Sequence, residues 1–203
     1  MNDPILSSWL EQQALEAAEL DRESDVVSIS PVGPAPYQRY VVEYNCTGLV
    51  KTERGVEEAN RFAVGIYFPS DYWHRVRPAE VVTLLWPVNL WHSNAKFPHI
   101  CVGRLFPGTG LVDLTTQIYT IITYNNVSIR EDDALQPEVS AWARRNMHRF
   151  PLENRPLRRR KISLRVTDAP ERMGTARRDD NSGGEMRGDN ESRTHEKENR
   201  EAD

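Results

Sequence analysis

The chain has 203 residues, 38% of them hydrophobic and 28% charged, with two cysteines and a formal net charge of −4. That composition suits one globular domain with a solvated appendage, and two cysteines exclude a disulfide framework. No apolar run reaches the roughly 18–20 residues of a membrane span, and residues 1–20 lack the basic and apolar regions of a signal peptide, so the expectation is a cytoplasmic protein without a membrane partner.

The first element is an amphipathic helix. Ser7 or Ser8 is the expected cap, with Glu11 completing a capping-box pattern, and Trp9, Leu10, Ala14, Leu15, Ala17, Ala18 and Leu20 recur at helical spacing. Residues 25–30 then read as a short strand stopped by Pro31, Gly33, Pro34 and Pro36. Tyr40, Val42, Tyr44 and Cys46 alternate with Val41, Glu43 and Asn45 in a half-buried second strand, and Thr52-Glu53-Arg54-Gly55 is the following turn. Phe62, Val64, Ile66 and Phe68 mark a third strand, and residues 80–86 a fourth. Four strands joined by short turns, with no helix between them, imply an antiparallel meander.

Residues 87–110 lack periodicity and hold Pro87, Pro98, Pro107, Gly103, Gly108 and Gly110. Such a long loop in a small domain is usually functional, and Trp91, Phe97, Ile100, Val102, Leu105 and Phe106 predict that it is ordered. Leu111, Leu114, Ile118, Ile121 and Ile122 mark a buried helix; Val139, Trp142, Ala143, Met147 and Phe150 mark another. The fold class expected is α+β, with a domain at residues 1–167. Residues 168–203 carry 7 basic and 11 acidic residues and almost nothing apolar, which predicts a disordered charged tail; residues 1–167 hold 19 of each sign. The one local basic cluster, Arg155, Arg158, Arg159, Arg160, Lys161 and Arg165, reads as a solvated edge, so no nucleic-acid partner is expected.

The long loop carries the chemistry. Trp91-His92-Ser93-Asn94 is followed by His99-Ile100-Cys101, which puts an amide, a thiol and two imidazoles into one span. It resembles the His-Pro-Asn…Cys loop of ubiquitin-conjugating E2 enzymes. Three further segments resemble that family in order and at similar spacing. Phe68-Pro69-Ser70-Asp71-Tyr72 is similar to its Phe-Pro-x-Asp-Tyr, Ile100-Cys101 to its Ile-Cys, and Asp132-Asp133-Ala134-Leu135-Gln136-Pro137-Glu138-Val139 to its Asp-Asp-Pro-Leu-x-Pro-Glu-Ile. Together they cover roughly residues 7–150. Val102-Gly103-Arg104-Leu105 and Pro107-Gly108-Thr109-Gly110 look most like bacterial E2-like proteins, which are encoded beside ubiquitin-like, E1-like and deubiquitinase-like partners, several in antiphage defence.

The resemblance implies a UBC-like fold and a conjugating enzyme. Cys101 would accept a ubiquitin-like modifier from an E1-like enzyme as a thioester and pass it to an amine, a lysine of a protein substrate. A thiol suits this because it is both nucleophile and leaving group. Asn94 would donate to the developing oxyanion, where one preorganised donor is worth roughly 3–4 kcal/mol, or would order the loop. His92 would hold the loop, with a general-base role as the alternative. Asp133 would orient the incoming amine and accept its proton, or with Asp132 simply cap the following helix. His99, two residues before Cys101, could lower the thiol pKa if charged and near. Cys46, in a strand, reads as a buried inert thiol. No cofactor is implied, and a metal on His92, His99 and Cys101 lacks a fourth ligand at a standard spacing.

The chain departs from the family at three places. Ser93 stands where the family has Pro, Tyr72-Trp73-His74-Arg75 lacks the Pro-rich run that meets E3 ligases, and the first helix is acidic (Glu11, Glu16, Glu19, Asp21, Glu23). No E3 follows from the sequence. Two other functions compete: an E2-variant binding module that has lost catalysis, and a Cys-His hydrolase using Cys101 with His92 or His99.

Overall fold

The computed structural model describes residues 3–159. Helix α1 spans Pro4–Glu23, and its cap is Asp3, whose carboxylate accepts from the Ile5 N–H at 2.9 Å and the Leu6 N–H at 3.4 Å. The expected caps Ser7 and Ser8 lie inside the helix instead. Asp3 wins because Pro4 behind it already has the backbone angle of a first helical residue and no N–H to satisfy. The buried stripe is Leu6, Leu10, Gln13, Ala17 and Leu20, whereas Leu15 points to solvent.

Eight strands follow: β1 (Val27–Val32), β2 (Arg39–Tyr44), β3 (Gly48–Thr52), β4 (Gly55–Ala59), β5 (Phe62–Tyr67), then a one-turn helix α2 (Pro78–Val81), β6 (Val82–Trp86), β7 (Ala95–Lys96) and β8 (His99–Ile100). The main sheet has the order β1-β2-β5-β6-β8-β7, antiparallel throughout. The first four of these are the expected meander. Pro31 does not stop β1 but lies within it, which an edge strand tolerates because its outer N–H needs no partner.

The link from β2 to β5 is not a short turn. Residues 48–59 form a separate antiparallel hairpin, β3–β4, around the turn at Thr52–Gly55. Its acidic outer arm, with Glu57 and Glu58, hid the strand pattern. Gly48 seats the hairpin on the core: a Cβ there would stand 2.6 Å from Phe62 Cζ and 2.9 Å from Ile122 Cγ2.

One face of the meander makes the core. Tyr40, Val42, Tyr44, Phe62, Val64, Ile66 and Leu84 are all 2% exposed or less. Helix α3 (Leu111–Ile122) packs there, with Leu111, Leu114, Ile118, Ile121 and Ile122 fully buried, and the Tyr44 hydroxyl donates to the Thr115 carbonyl at 3.1 Å. Nothing on α3 itself caps its start. Gln13 of α1 does so from across the core, its Oε1 accepting the Leu111 N–H at 2.7 Å. Phe68 and Tyr72 fold back against Trp9 of α1, and the Tyr72 hydroxyl donates to the Thr109 carbonyl at 2.8 Å, tying the end of the long loop to the body.

Helix α4 spans Pro137–Arg145 and does not run on to Phe150 as its periodicity suggested. Asn146 closes it, its side-chain Nδ2 donating to the Trp142 carbonyl at 2.8 Å, and a single 3₁₀ turn follows at Met147–Arg149. Three members of the basic cluster are paired: Arg155 with Glu153, Arg158 with Glu19 and Glu23, and Arg159 with Asp25. Arg160, Lys161, Arg165 and the expected tail at 168–203 lie outside the described residues.

Candidate active site

The long loop is built from a tiny hairpin and three tethers. β7 and β8 pair as Ala95 with Ile100 and Lys96 with His99. Extending that register by one residue sets Asn94 opposite Cys101, and the Cys101 N–H donates to the Asn94 carbonyl at 2.7 Å. Asn94 itself lies in the turn just before β7, a turn whose ends are joined by the Ala95 N–H donating to the His92 carbonyl at 3.1 Å. Ala95 and Ile100 are buried; the alternate residues Lys96, His99 and Cys101 are exposed and Asn94 is half-buried. The seven-residue gap in the sequence is thus the span of a hairpin, and a backbone bond across it joins the residue bearing the amide to the residue bearing the thiol.

The arm before the hairpin is held by β3. The Lys51 N–H donates to the Asn89 carbonyl at 2.9 Å, the Trp91 N–H to the Leu49 carbonyl at 2.8 Å, and Asn89 Nδ2 to the Lys51 carbonyl at 2.7 Å. The second tether is Tyr124, just past α3 with φ of 62°, whose hydroxyl donates to the Trp91 carbonyl. Its ring meets the His92 ring edge-on at 4.6 Å.

The third tether comes from the segment leading into α4. The Leu135 and Gln136 N–H groups both donate to the Ser93 carbonyl, at 2.9 and 3.2 Å. Gln136 Nε2 reaches three carbonyls at once: Ala95, His92 at 3.4 Å and Leu90 at 3.5 Å. Gln136, Tyr124 and Ser128, whose N–H reaches Asn94, are site residues to which sequence reading gave no role. Only the contacts they make mark them, and no local spacing does.

His92 is fully buried, and burial pushes its pKa down to about 3 against the opposing pull of the Asn126 backbone. The ring is neutral near pH 7. Its Nδ1 accepts the Asn94 N–H at 3.0 Å, which assigns the remaining proton to Nε2. A sealed ring with its basic nitrogen occupied holds the loop and has no access to a reacting group. Cys46 is buried too, and desolvation raises its thiol to about 12. Cys101, by contrast, is exposed.

Asn94 is oriented. Its Oδ1 accepts from the Ser93 hydroxyl at 2.9 Å and from the Ser128 N–H at 3.3 Å. Because a backbone N–H can only donate, this bond identifies the amide oxygen and, with it, Nδ2 as the remaining amide atom. No hydrogen bond engages Nδ2 among the described residues.

Asp133 is exposed on the same segment as Leu135 and Gln136, and no bond joins it to Cys101 or Asn94. Neither it nor Asp132 caps α4, whose cap position is Gln136. Asp132 instead takes a two-pronged bond from Arg130, which holds its carboxyl below the usual range. His99 shares the exposed face with Cys101, yet no hydrogen bond links them. No set of three or more His, Cys, Asp or Glu among the described residues is arranged to hold a metal ion, and no helix there is long and apolar enough to cross a membrane.

No family model matches the chain, and no curated protein matches it.

Proposed function

We propose that the protein is an E2-like conjugating enzyme with a UBC-like fold, in which Cys101 carries a ubiquitin-like modifier received from an E1-like enzyme. The observation that carries this reading is the backbone bond joining Cys101, whose thiol is exposed, to Asn94, whose amide oxygen is tethered and whose NH₂ has no hydrogen-bond partner among the described residues. The helix, meander, loop and helix order is compatible with it.

In the first step the Cys101 thiolate attacks the carbonyl carbon of the E1-held thioester, a new C–S bond forms, and the E1 thiolate leaves. In the second, an uncharged lysine amine attacks the same carbon. The carbonyl electrons move to oxygen, and Asn94 Nδ2–H is the donor for that negative charge. Collapse forms the amide bond and expels the Cys101 thiolate. The surplus proton on nitrogen passes to solvent or to Asp133, a carboxylate that orients the ammonium but cannot acidify it, since opposite charge favours the charged form.

A Cys-His hydrolase needs an imidazole able to take the thiol proton. His92 is sealed and already engaged through Nδ1, and His99 makes no bond to Cys101, so hydrolysis has less support.

The test mixes the full chain with an E1-like enzyme, its modifier and ATP. A reductant-sensitive adduct is expected, absent in Cys101→Ala, and a reductant-resistant ester in Cys101→Ser. Binding without an adduct in the unmodified protein would overturn the reading in favour of a binding module. Cleavage of a preformed conjugate would favour a hydrolase.

A further inference from the structure

We propose that Ser93 is a positioning residue that sets the Asn94 amide before any substrate arrives. The assignment rests on the reading of Asn94 as the oxyanion donor, and it follows from how completely the neighbouring groups are used. The Ser93 side chain is fully buried, and its carbonyl is held by the Leu135 and Gln136 N–H groups. The backbone of Ser93 therefore cannot swing, and its hydroxyl is confined to the side of Asn94 Oδ1, 2.9 Å away.

Asn94 is constrained equally on its own backbone, through its N–H to His92 Nδ1 and its carbonyl to the Cys101 N–H. What remains is rotation of the terminal amide, a soft and nearly two-fold torsion. Two donors to one oxygen remove that freedom. The Ser128 N–H is the second, and Ser128 is itself located by the Ser140 hydroxyl of α4, which donates to the Ser128 carbonyl at 3.0 Å. Were the amide flipped, an NH₂ would face the Ser128 N–H and two donors would meet. The resting network thus holds Oδ1 toward Ser93 and Ser128 and leaves Nδ2 as the amide atom available to a substrate. Ser93 transfers no proton and touches no substrate.

The experiment compares Ser93→Ala, Ser93→Thr, Asn94→Ala and the Ser93→Ala/Asn94→Ala pair in the full chain. Single-turnover discharge of the preformed Cys101 thioester to free lysine is followed beside the yield of charging. A neutral hydrogen bond of ordinary strength corresponds to a loss of about 5- to 10-fold in discharge for Ser93→Ala, with charging lowered less. Ser93→Thr restores discharge to within about twofold. In the Asn94→Ala background, Ser93→Ala costs nothing further, because the group it positions is gone. Equal losses in both backgrounds, or undiminished discharge in Ser93→Ala, overturn the proposal.

NMR of the uncharged protein gives an arm independent of turnover. The Asn94 side-chain NH₂ is rigid on the ps–ns timescale in the unmodified chain and loosens in Ser93→Ala. A freely rotating NH₂ in the unmodified chain overturns the role of Ser93, even if Ser93→Ala does not fold. Failure of Cys101 to charge beside a rigid, Ser93-dependent NH₂ would overturn the conjugating reading and leave the positioning role standing.

Discussion

The sheet core and the Cys101 loop are held by different forces. Between the meander and α3 the contacts are apolar, collective and non-directional, and many residues share the load. The loop sends Leu90, Ala95, Ile100 and Leu105 into that core, but its polar residues are located by hydrogen bonds from β3, Tyr124, Gln136 and Ser128. Burial makes the molecule stable, whereas directional bonds decide where one thiol and one amide stand. Damage to the first region should lower stability and leave the site's geometry intact in the molecules that remain folded. Damage to the second should do the reverse.

The largest effect that sharpens this contrast is a cavity in the core. Leu114→Ala removes a fully buried side chain and should cost about 2–5 kcal/mol in urea unfolding, with discharge per folded molecule unchanged. A discharge rate that falls in step with the cavity would break the distinction. Gly48→Ala comes next, at about 1–3 kcal/mol, because the added methyl meets both Phe62 and Ile122. It should also disturb the loop arm that β3 holds, so it probes the seam between the two regions.

Gln136→Ala should cost about 1–3 kcal/mol of stability, since it takes a donor from carbonyls of the buried residues Leu90, His92 and Ala95. Thioester discharge should also fall by about tenfold or more, as small displacements of reacting groups do. Loss of stability without loss of discharge would show that the clasp serves the core alone.

The smallest effect is set by pH. Burial depresses the folded-state pKa of His92 to about 3, so below the unfolded value of about 6.5 only the unfolded chain takes up the proton. This contribution to stability is whole above pH 6.5 and is lost as pH falls from there towards 3. Between pH 7 and 5.5 it amounts to about 1 kcal/mol. The melting temperature should drop over that window, and the drop should flatten in His92→Asn.

Much of the fold was legible because period-2 and helical patterns report which face is buried. Tyr40-Val42-Tyr44 and Phe62-Val64-Ile66 were read as strands and lie on the core face of the sheet, and the α3 residues read as buried are so. The β3–β4 hairpin was not read. Its arms have too few apolar residues to show a period, and what seats it is Gly48 against two side chains distant in sequence. The cap of α1 was misplaced because several residues could cap locally and only Asp3 is followed at once by Pro4.

At the site, the exposed Cys101 and the sealed Cys46 were distinguished from sequence because one lies on a Pro-rich loop and the other in an alternating strand. The sequence by itself determined which residue types are present in that loop, how far apart they are along the chain, and which faces of which elements must be buried. Only the tertiary structure decided that Asn94 and Cys101 stand across a two-residue hairpin, that His92 is closed off from solvent, and that Gln136 and Ser128 hold them there. The reason is physical. Burial follows local composition and repeats along the chain, while a hydrogen bond between residues some forty apart has no local signature and forms only where the packed core delivers both partners.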